Sequence, residues 1–376
     1  MRIGIVCYPT FGGSGVVATE LGMALADKGH EVHFITYNQP VRLDFFSHRL
    51  HFHEVVLEEY PLFQYQPYEL ALSSKMVEVV EKHQLEVLHV HYAIPHAYAA
   101  YMAKKMLENK GINVKVVTTL HGTDITLVGS HPTYKTAVEF SINKSDEVTT
   151  VSNSLKEDTL RLFNIEKDIK VVYNFIDGVK YDNAHQTECK RIALAKPEEK
   201  ILTHVSNFRP VKRTDDVIKI FNEIQKEIPS KLLMVGDGPE RLKAENLVNK
   251  FGLEDKVLFM GNSREVEKIL CYSDVFLLPS ETESFGLAAL EAMAASTAVI
   301  STNCGGLPEV NIHGKTGYLS NLGDVDDMAK NAITILRDNV VLNEFKANAK
   351  EHIKLFSLEN ILPVYEAIYK SCSEVI

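Results

Sequence analysis

The feature that most narrows what this chain can fold into is an alternation. Short runs of β-branched and other apolar residues give way repeatedly to segments with helical spacing, from one end of the sequence to the other. In the first half the runs fall at 2–7, 31–36, 86–91, 114–119 and 147–151, with helical patterns near 14–28, 69–83, 94–109 and 152–163. The second half repeats the habit. Its runs lie at 201–206, 231–236, 256–260, 274–279 and 297–302, and its helical patterns near 213–227, 239–251, 263–272 and 284–295. Strands that alternate with helices pair in parallel, because a helix-length crossover returns the chain to the same end of the sheet. The expectation is an α/β protein with two doubly wound sheets.

Between the halves, "IKVVYNFIDGVKYDNAHQTE" holds one last apolar run and then dissolves into polar residues before Ile201 restarts a strand, which places the seam there. The expected domains are therefore 1–168 and 169–356. The closing segment "SLENILPVYEAIYKSC" has helical spacing, and a helix over 357–376 is expected to pack back on the first domain. With 376 residues, 45% of them hydrophobic, each half has the side chains for its own core.

A formal net charge of −10 argues against nucleic acid or an anionic membrane as partner, since both select basic patches. An anionic small ligand must then be met by a few local cations. The five cysteines, Cys7, Cys189, Cys271, Cys304 and Cys372, show no metal-like spacing, so neither a disulfide framework nor a zinc site is expected, and the reducing cytoplasm is the expected compartment. The first apolar run, Ile3–Cys7, is far too short for a signal-peptide core or a membrane span.

The first strand leads into "PTFGGSGVVATELG", where Gly13, Gly15 and Ala18 fit the G-x-G-x-x-A fingerprint of a dinucleotide site. Two conditions of that fingerprint fail. Residues 8–11 intervene between strand and glycines, and the second run ends Thr36-Tyr37-Asn38 without the acid that holds a ribose. Two readings stay open: a turn that lets the helix pack on the sheet, and a loop whose free N–H groups at the helix start receive an anion.

In "SETESFGLAALEAMA", Glu283 follows a strand in a loop, and Glu291 lies in the next helix with seven residues between the two. Ser284 is the expected cap, which would turn the N–H groups of Phe285, Gly286 and Leu287 toward a phosphate. Earlier, "VSNFRPVKRTDDVI" puts Arg209 and Lys212 in the loop after the strand at 201–206, where open α/β sheets bind ligands and two cations can clamp a diphosphate. Read alone, such a loop is a solvated charge cluster. His89 and His91 share one face of a strand, but no third ligand stands at suitable local spacing, so packing is the preferred reading and no metal is expected.

Taken together, the Glu283/Glu291 spacing, the Arg209/Lys212 loop, "MVGDGPE", "GGLPEV" with "GKTGYL", and the first-half "GGSG" and "HGTD" resemble the retaining GT-B glycosyltransferases of family GT4 over essentially the whole chain. The resemblance implies two Rossmann-like domains facing across a cleft, with the nucleotide donor chiefly on the second and the acceptor on the first. Within the family, "CYPTFGGSGVVATELG", "FQYQPYELALSSKM", "LHVHYAIPHA" and "TTLHGTDIT" are similar to the members that open bacillithiol synthesis. That implies transfer of N-acetylglucosamine from UDP-GlcNAc to L-malate, without a metal or other cofactor. A homodimer is implied by analogy only.

By the same resemblance, Arg209 and Lys212 neutralise the departing diphosphate, Glu291 binds the ribose, and Glu283 and His121 bind the sugar. Gly13, Gly15, Ser206, Phe285, Gly286 and Leu287 approach phosphates and sugar, and Asn262 and Arg264 flank the uracil. For the acceptor, Ser14, Tyr92, Thr123 and Asn153 are candidates, each equally a cap or turn residue. A relative with another small acceptor and a non-catalytic UDP-sugar-binding regulator remain open. The chain departs from the family where Ser296 and Ala298 replace a Gly-x-Pro, and where Ala288 and Ala289 replace bulkier aliphatic residues, which puts local packing and stability in question.

Overall fold

The apolar runs become strands of two parallel sheets, all of them inner except the one at 256–260, in the computed structural model, which describes all residues except 11, 44–46, 59–64, 187–190, 264 and 374–376. The first sheet is built from β1 (Arg2–Val6), β2 (Glu31–Thr36), β3 (Leu50–Glu54), β4 (Val87–His91), β5 (Lys115–Leu120), β6 (Glu147–Thr150) and β7 (Ile169–Val171). Its helices are α1 (Gly13–Asp27), α2 (Tyr68–His83), α3 (Tyr98–Glu108), α4 (Pro132–Lys144) and α5 (Asn153–Leu162). The second sheet contains β8 (Lys200–Val205), β9 (Ser230–Val235), β10 (Val257–Gly261), β11 (Val275–Leu278), β12 (Ala298–Thr302) and β13 (Gly317–Ser320). Around it run α6 (Gly178–Gln186), α7 (Arg191–Leu194), α8 (Thr214–Glu227), α9 (Arg241–Phe251), α10 (Val266–Leu270), α11 (Leu287–Ala294), α12 (Leu307–Val310), α13 (Val325–Leu336) and α14 (Asn339–His352), before the final α15 (Leu358–Ser373).

Among the described residues the strand orders are β3-β2-β1-β4-β5-β6-β7 and β10-β9-β8-β11-β12-β13, with every neighbouring pair parallel. Each order reverses beside the unit's first strand, between β1 and β4 and between β8 and β11. Loops leaving the carboxyl ends of those strands diverge there and open a crevice. Strands buried on both faces read as continuous apolar runs, hence Ile3, Ile5 and Val6 in β1 and Val275 to Leu278 in β11, all buried. Helix α8 covers one face with Val217, Ile218, Phe221 and Ile224 at helical spacing, against Leu202, Leu232 and Leu277.

The chain divides into two compact units, residues 1–174 with 358–376, and residues 175–357. Strand β7 pairs with β6 and so completes the first sheet, which moves the boundary from the expected 168 to beyond Asn174. Helix α15 belongs to the first unit. Its Tyr365 and Tyr369 are buried against His89, and the Tyr369 hydroxyl lies 2.7 Å from His89 Nδ1. No helix among the described residues is long and apolar enough to cross a membrane.

The alternation does not mark β3, β13 and α4, and each has a physical reason. β3 reads Leu-His-Phe-His-Glu at a sheet edge, with histidine on alternate positions. β13 is four residues long and opens on Gly317, whose place is forced because a Cβ there would stand 1.7 Å from the Val299 carbonyl oxygen. α4 buries only Val138, Ser141 and Ile142. Helix α13 is not marked either, although its Asp324 cap and its apolar stripe from Met328 to Leu336 carry a helical signal. The helix expected from residue 94 starts instead at Tyr98, because Pro95 pushes Ile94 into extended backbone at φ −129°, ψ 141°.

Ser296, where the resemblance implied a glycine, has a φ of 57°, in the left-handed region that glycine enters freely. A side chain costs roughly 1–2 kcal/mol there. Ser296→Gly is therefore expected to stabilise the protein by about 1 kcal/mol, read as a higher denaturant midpoint; an unchanged or lower midpoint contradicts this account.

Candidate functional site

In the second unit the loop after β8 is held from below by Phe208, whose ring is fully buried in the core although its φ is 40°. The loop after β9 packs on it backbone to backbone. A Cβ at Gly236 would lie 1.8 Å from the Ser206 carbonyl oxygen, and one at Gly238 would lie 2.0 Å from that of Asn207. The glycines of "MVGDGPE" are thus required by close approach. Ser206 Oγ lies 2.8 Å from Nε2 of buried His204, whose Nδ1 lies 2.8 Å from the Leu277 carbonyl oxygen. Burial lowers the His204 pKa to about 4 and keeps the ring neutral beside Lys212.

The loop after β11 is tied to both neighbours. Glu281 donates its N–H to the Val211 carbonyl at 2.8 Å, and Gly306 donates to the Glu283 carbonyl at 2.9 Å. Gly305, at φ 54°, admits no Cβ, because one would stand 1.9 Å from the Glu283 carbonyl oxygen. Within this frame Lys212 Nζ donates to Glu283 Oε1, which also accepts from Ser280 Oγ at 3.1 Å. Both side chains of this ion pair are mostly buried, 21% and 13% exposed, so the pair is held in place and poorly screened. Arg209 is exposed, and no side-chain partner holds it among the described residues.

Helix α11 begins at Leu287 with Gly286 as its cap, at φ 98°. Ser284 is not the cap, and the expectation is corrected. Leu290 donates to the Gly286 carbonyl as the first intrahelical bond, so the helix leaves the amides of Leu287, Ala288 and Ala289 without an intrahelical acceptor, and Leu287 is the member of the expected trio that lies among them. A Cβ at residue 286 would meet Leu307 Cδ2 at 2.6 Å, and Phe285 is buried with its ring against Phe356, so the turn is packed into the core. Glu291 lies partly buried in the second turn of α11. Asn262 follows β10 and is exposed, while Arg264 lies outside the described residues.

In the first unit α1 begins at Gly13 with Gly12 as cap, and Gly15 faces inward: its Cβ would lie 2.4 Å from the Tyr8 carbonyl oxygen, and its N–H goes to the Gly12 carbonyl at 3.0 Å. Gly15 is therefore a packing glycine, whereas Ser14 points elsewhere, with Oγ 2.6 Å from the Tyr92 hydroxyl. Tyr92 ends β4 at φ 88°, a strained conformation for a large side chain of the kind that clusters at functional sites. Its ring packs on Tyr8 and His121 at 5.3 and 5.1 Å, and burial pushes its phenol up to about 12. Two of the acceptor candidates thus meet. Thr123 is exposed at the start of the helical turn after β5 and Asn153 at the first position of α5; Ser152, not Asn153, caps α5, and Asn153 Nδ2 donates to the Tyr173 hydroxyl at 2.9 Å.

Behind Tyr92 lies a layer of histidines. His91 Nδ1 sits 2.8 Å from His121 Nε2, His89 Nε2 lies 2.7 Å from Thr119 Oγ1, and His96 Nδ1 contacts the His91 carbonyl. His89 is bonded through both nitrogens, the second to the Tyr369 hydroxyl, whereas Nε2 of His91 and of His96 is buried without a hydrogen-bond partner. Burial lowers His89 and His121 to about 3 and His96 to about 4, with His91 well below its ordinary value. Asp124, the residue of "HGTD" with no role in the sequence reading, pins two loops: it accepts from the Ala93, Gly122 and His121 amides at 2.7, 3.0 and 3.2 Å. Its signal was a carboxylate set two residues after a glycine turn.

Comparison with known proteins gives a consistent picture. Residues 11–178 match the family model described as Glycosyltransferase Family 4, and residues 185–352 match the one described as Glycosyl transferases group 1. The chain is 49% identical over 370 residues, 98% of its length and 96% of the relative's, to the N-acetyl-alpha-D-glucosaminyl L-malate synthase of Bacillus anthracis. Sucrose-phosphate synthase from Thermosynechococcus elongatus superposes with a TM-score of 0.80 at 21% identity, over 99% of this chain and 98% of that one. HepE of Anabaena, solved with UDP and glucose, superposes with a TM-score of 0.81 at 18% identity, over 99% and 100%.

The histidine layer sets a pH dependence. Each ring is neutral when folded and titrates near 6.5 when unfolded, so its contribution to stability is present above about 6.5 and is lost as pH falls toward 4. Asp124 acts oppositely: burial raises it to about 6, so its contribution is full at low pH and fades as pH rises through that value. The histidines outnumber it. Denaturant midpoints are expected to fall steadily from pH 7 to pH 4.5, and a midpoint that stays level over that range contradicts the buried neutral layer.

Proposed function

Because the chain belongs to glycosyltransferase family 4 and has the GT-B fold, we propose that it is a retaining transferase that moves N-acetylglucosamine from UDP-GlcNAc to the hydroxyl of L-malate, releasing UDP. The observation that carries the choice of substrates is the 49% identity, over 98% of the chain, to a synthase of that name. The geometry supports the chemistry, since the Arg209/Lys212 loop and the Glu283 loop leave the second sheet at its point of strand reversal, where nucleotides bind in such sheets. In this reading the protein works in the cytoplasm at the start of bacillithiol synthesis, and a homodimer is its proposed assembly.

On the donor side, Lys212 is held ready by Glu283 and Arg209 is free to turn. Both offer positive charge to the diphosphate, and their effect grows as negative charge builds on the leaving oxygen. The free amides at the start of α11 add to it. Glu291 binds the ribose hydroxyls, Glu283 and His121 those of the sugar, and Asn262 and Arg264 the uracil. No metal is needed in this scheme. The malate hydroxyl attacks from the face that the diphosphate leaves, and a diphosphate oxygen takes its proton, so no protein base is required. Ser14, Tyr92, Thr123 and Asn153 receive the acceptor, with the Ser14–Tyr92 pair at its centre.

UDP release from UDP-GlcNAc is expected only when L-malate is present, with an α-linked product by the NMR coupling of its anomeric proton. A β linkage rules out retention; turnover with another acceptor only, or binding without turnover, replaces the assignment. Alanine at both Arg209 and Lys212 is expected to lower kcat by on the order of 10²-fold or more, and wild-type turnover in the folded double variant would discard the proposed roles. Ser14→Ala is expected to raise KM for malate about tenfold, the scale of one hydrogen bond to a charged group, and to leave KM for UDP-GlcNAc nearly unchanged. The reverse pattern moves the acceptor elsewhere.

A further inference from the structure

A second group of titratable side chains lies away from these loops, near the edge of the first sheet. Glu31 and His33 alternate on β2, His51 and His53 alternate on β3, and the parallel register sets His33 beside His51 and Ile35 beside His53. Alternation and register together put all four side chains on one face. His83, from the last turn of α2, packs against the same group, its ring 4.5 Å from that of His33 and 5.0 Å from that of His53. The His33 and His51 rings stack at 4.4 Å.

The histidine layer behind Tyr92 also holds buried nitrogens without a partner, at His91 and His96, but among the described residues only the group at the sheet edge brings three potential ligand atoms together. His33 is fully buried, and its Nδ1 lies 2.9 Å from His53 Nε2. Its other nitrogen, Nε2, and Nε2 of His51 are both buried and have no hydrogen-bond partner. Both stand near one carboxylate oxygen, Glu31 Oε1, at 3.9 and 3.2 Å, outside hydrogen-bond geometry. Buried polar atoms are rarely left unsatisfied. Two imidazole nitrogens and a carboxylate oxygen, all within 4.8 Å of one another, form the donor set of a zinc-like ion, whose bonds are about 2.0–2.2 Å long.

We propose that Glu31, His33 and His51 bind a divalent transition-metal ion of the zinc class, with water completing the coordination. His33 donates Nδ1–H to His53, which fixes the tautomer and leaves Nε2 to the ion, the usual arrangement around a ligating histidine. The ligands come from the edge strand and its neighbour, so the ion ties β3 to β2. It is structural, since its ligands lie along the strands and not in the loops at the carboxyl ends, and the transfer chemistry proposed above does not involve it.

The test uses full-length protein stripped with a chelator and titrated with Zn²⁺ by calorimetry, and with Co²⁺ by its visible absorption. One ion per chain is expected, together with a higher unfolding temperature, because the ion binds the folded state. His51→Ala and Glu31→Gln are expected to weaken binding by more than the roughly tenfold that an outer partner is worth, and His53→Ala by about that tenfold. His48→Ala, at an exposed neighbouring histidine, is expected to bind as the unaltered chain does. His51 is partly exposed, so its replacement leaves the core intact, and the metal-free unfolding temperature checks this. The proposal is overturned if the stripped chain takes up no ion at micromolar Zn²⁺. It is equally overturned if His51→Ala and Glu31→Gln bind unchanged, or if His83→Ala alone abolishes binding, which would move the ion to His33, His53 and His83.

Discussion

Parallel pairing on both sides of β1 and of β8 is the constraint on which the rest depends. It places the carboxyl ends of neighbouring strands together, and because the order reverses beside these two strands, the loops on either side turn away from each other. In the second unit the loops after β8, β9, β11 and β12 are then close enough to touch through their backbones. Gly236, Gly238, Gly305 and Gly306 occur where they do because carbonyl oxygens occupy the space a Cβ would need. The glycine-rich motifs of this half are first of all packing devices, and the Lys212–Glu283 ion pair is what they hold in register.

The two units prepare opposite chemistry with the same scaffold. The second presents fixed charge: an ammonium braced by a carboxylate, an exposed guanidinium, and the free amides of a helix start. The first presents neutral polarity: the Ser14–Tyr92 hydroxyl pair backed by uncharged histidines. Asp124 is the carboxylate that organises this side, and it does so through backbone amides. On the proposed reading this division suits the two substrates, since the donor brings a diphosphate that needs charge while the acceptor must be oriented for attack.

Histidine serves two purposes within one sheet. On β4 both nitrogens of His89 are bonded, by Thr119 and Tyr369, and His91 is bonded to His121 through Nδ1 while its Nε2 stays unpartnered with no carboxylate in a ligand set around it. On β2 and β3 the rings of His33 and His51 keep a buried nitrogen with nothing to bond. Both patterns read alike along the chain as histidine on alternate positions, and the sequence drew attention only to the pair on β4, as packing residues. What separates them is the neighbour across the strands: threonine and histidine beside β4, glutamate beside the edge.

How far the sequence reaches follows from the range of the forces involved. Apolar periodicity is local, so it fixed the inner strands, most helices and the position of the charged loops. Edge strand β3 and short β13 escaped it because they bury too little to leave a pattern. Motif spacing placed Arg209, Lys212, Glu283 and Glu291 on the right loops and helix. It could not show that Lys212 pairs with Glu283, that Gly286 rather than Ser284 starts α11, or that Ser14 meets Tyr92 across 78 positions of chain. The two pairings are contacts between segments far apart in sequence, and the helix start is fixed by the packing of Gly286 against Leu307; the parallel register that sets strand ends side by side brings all of them together.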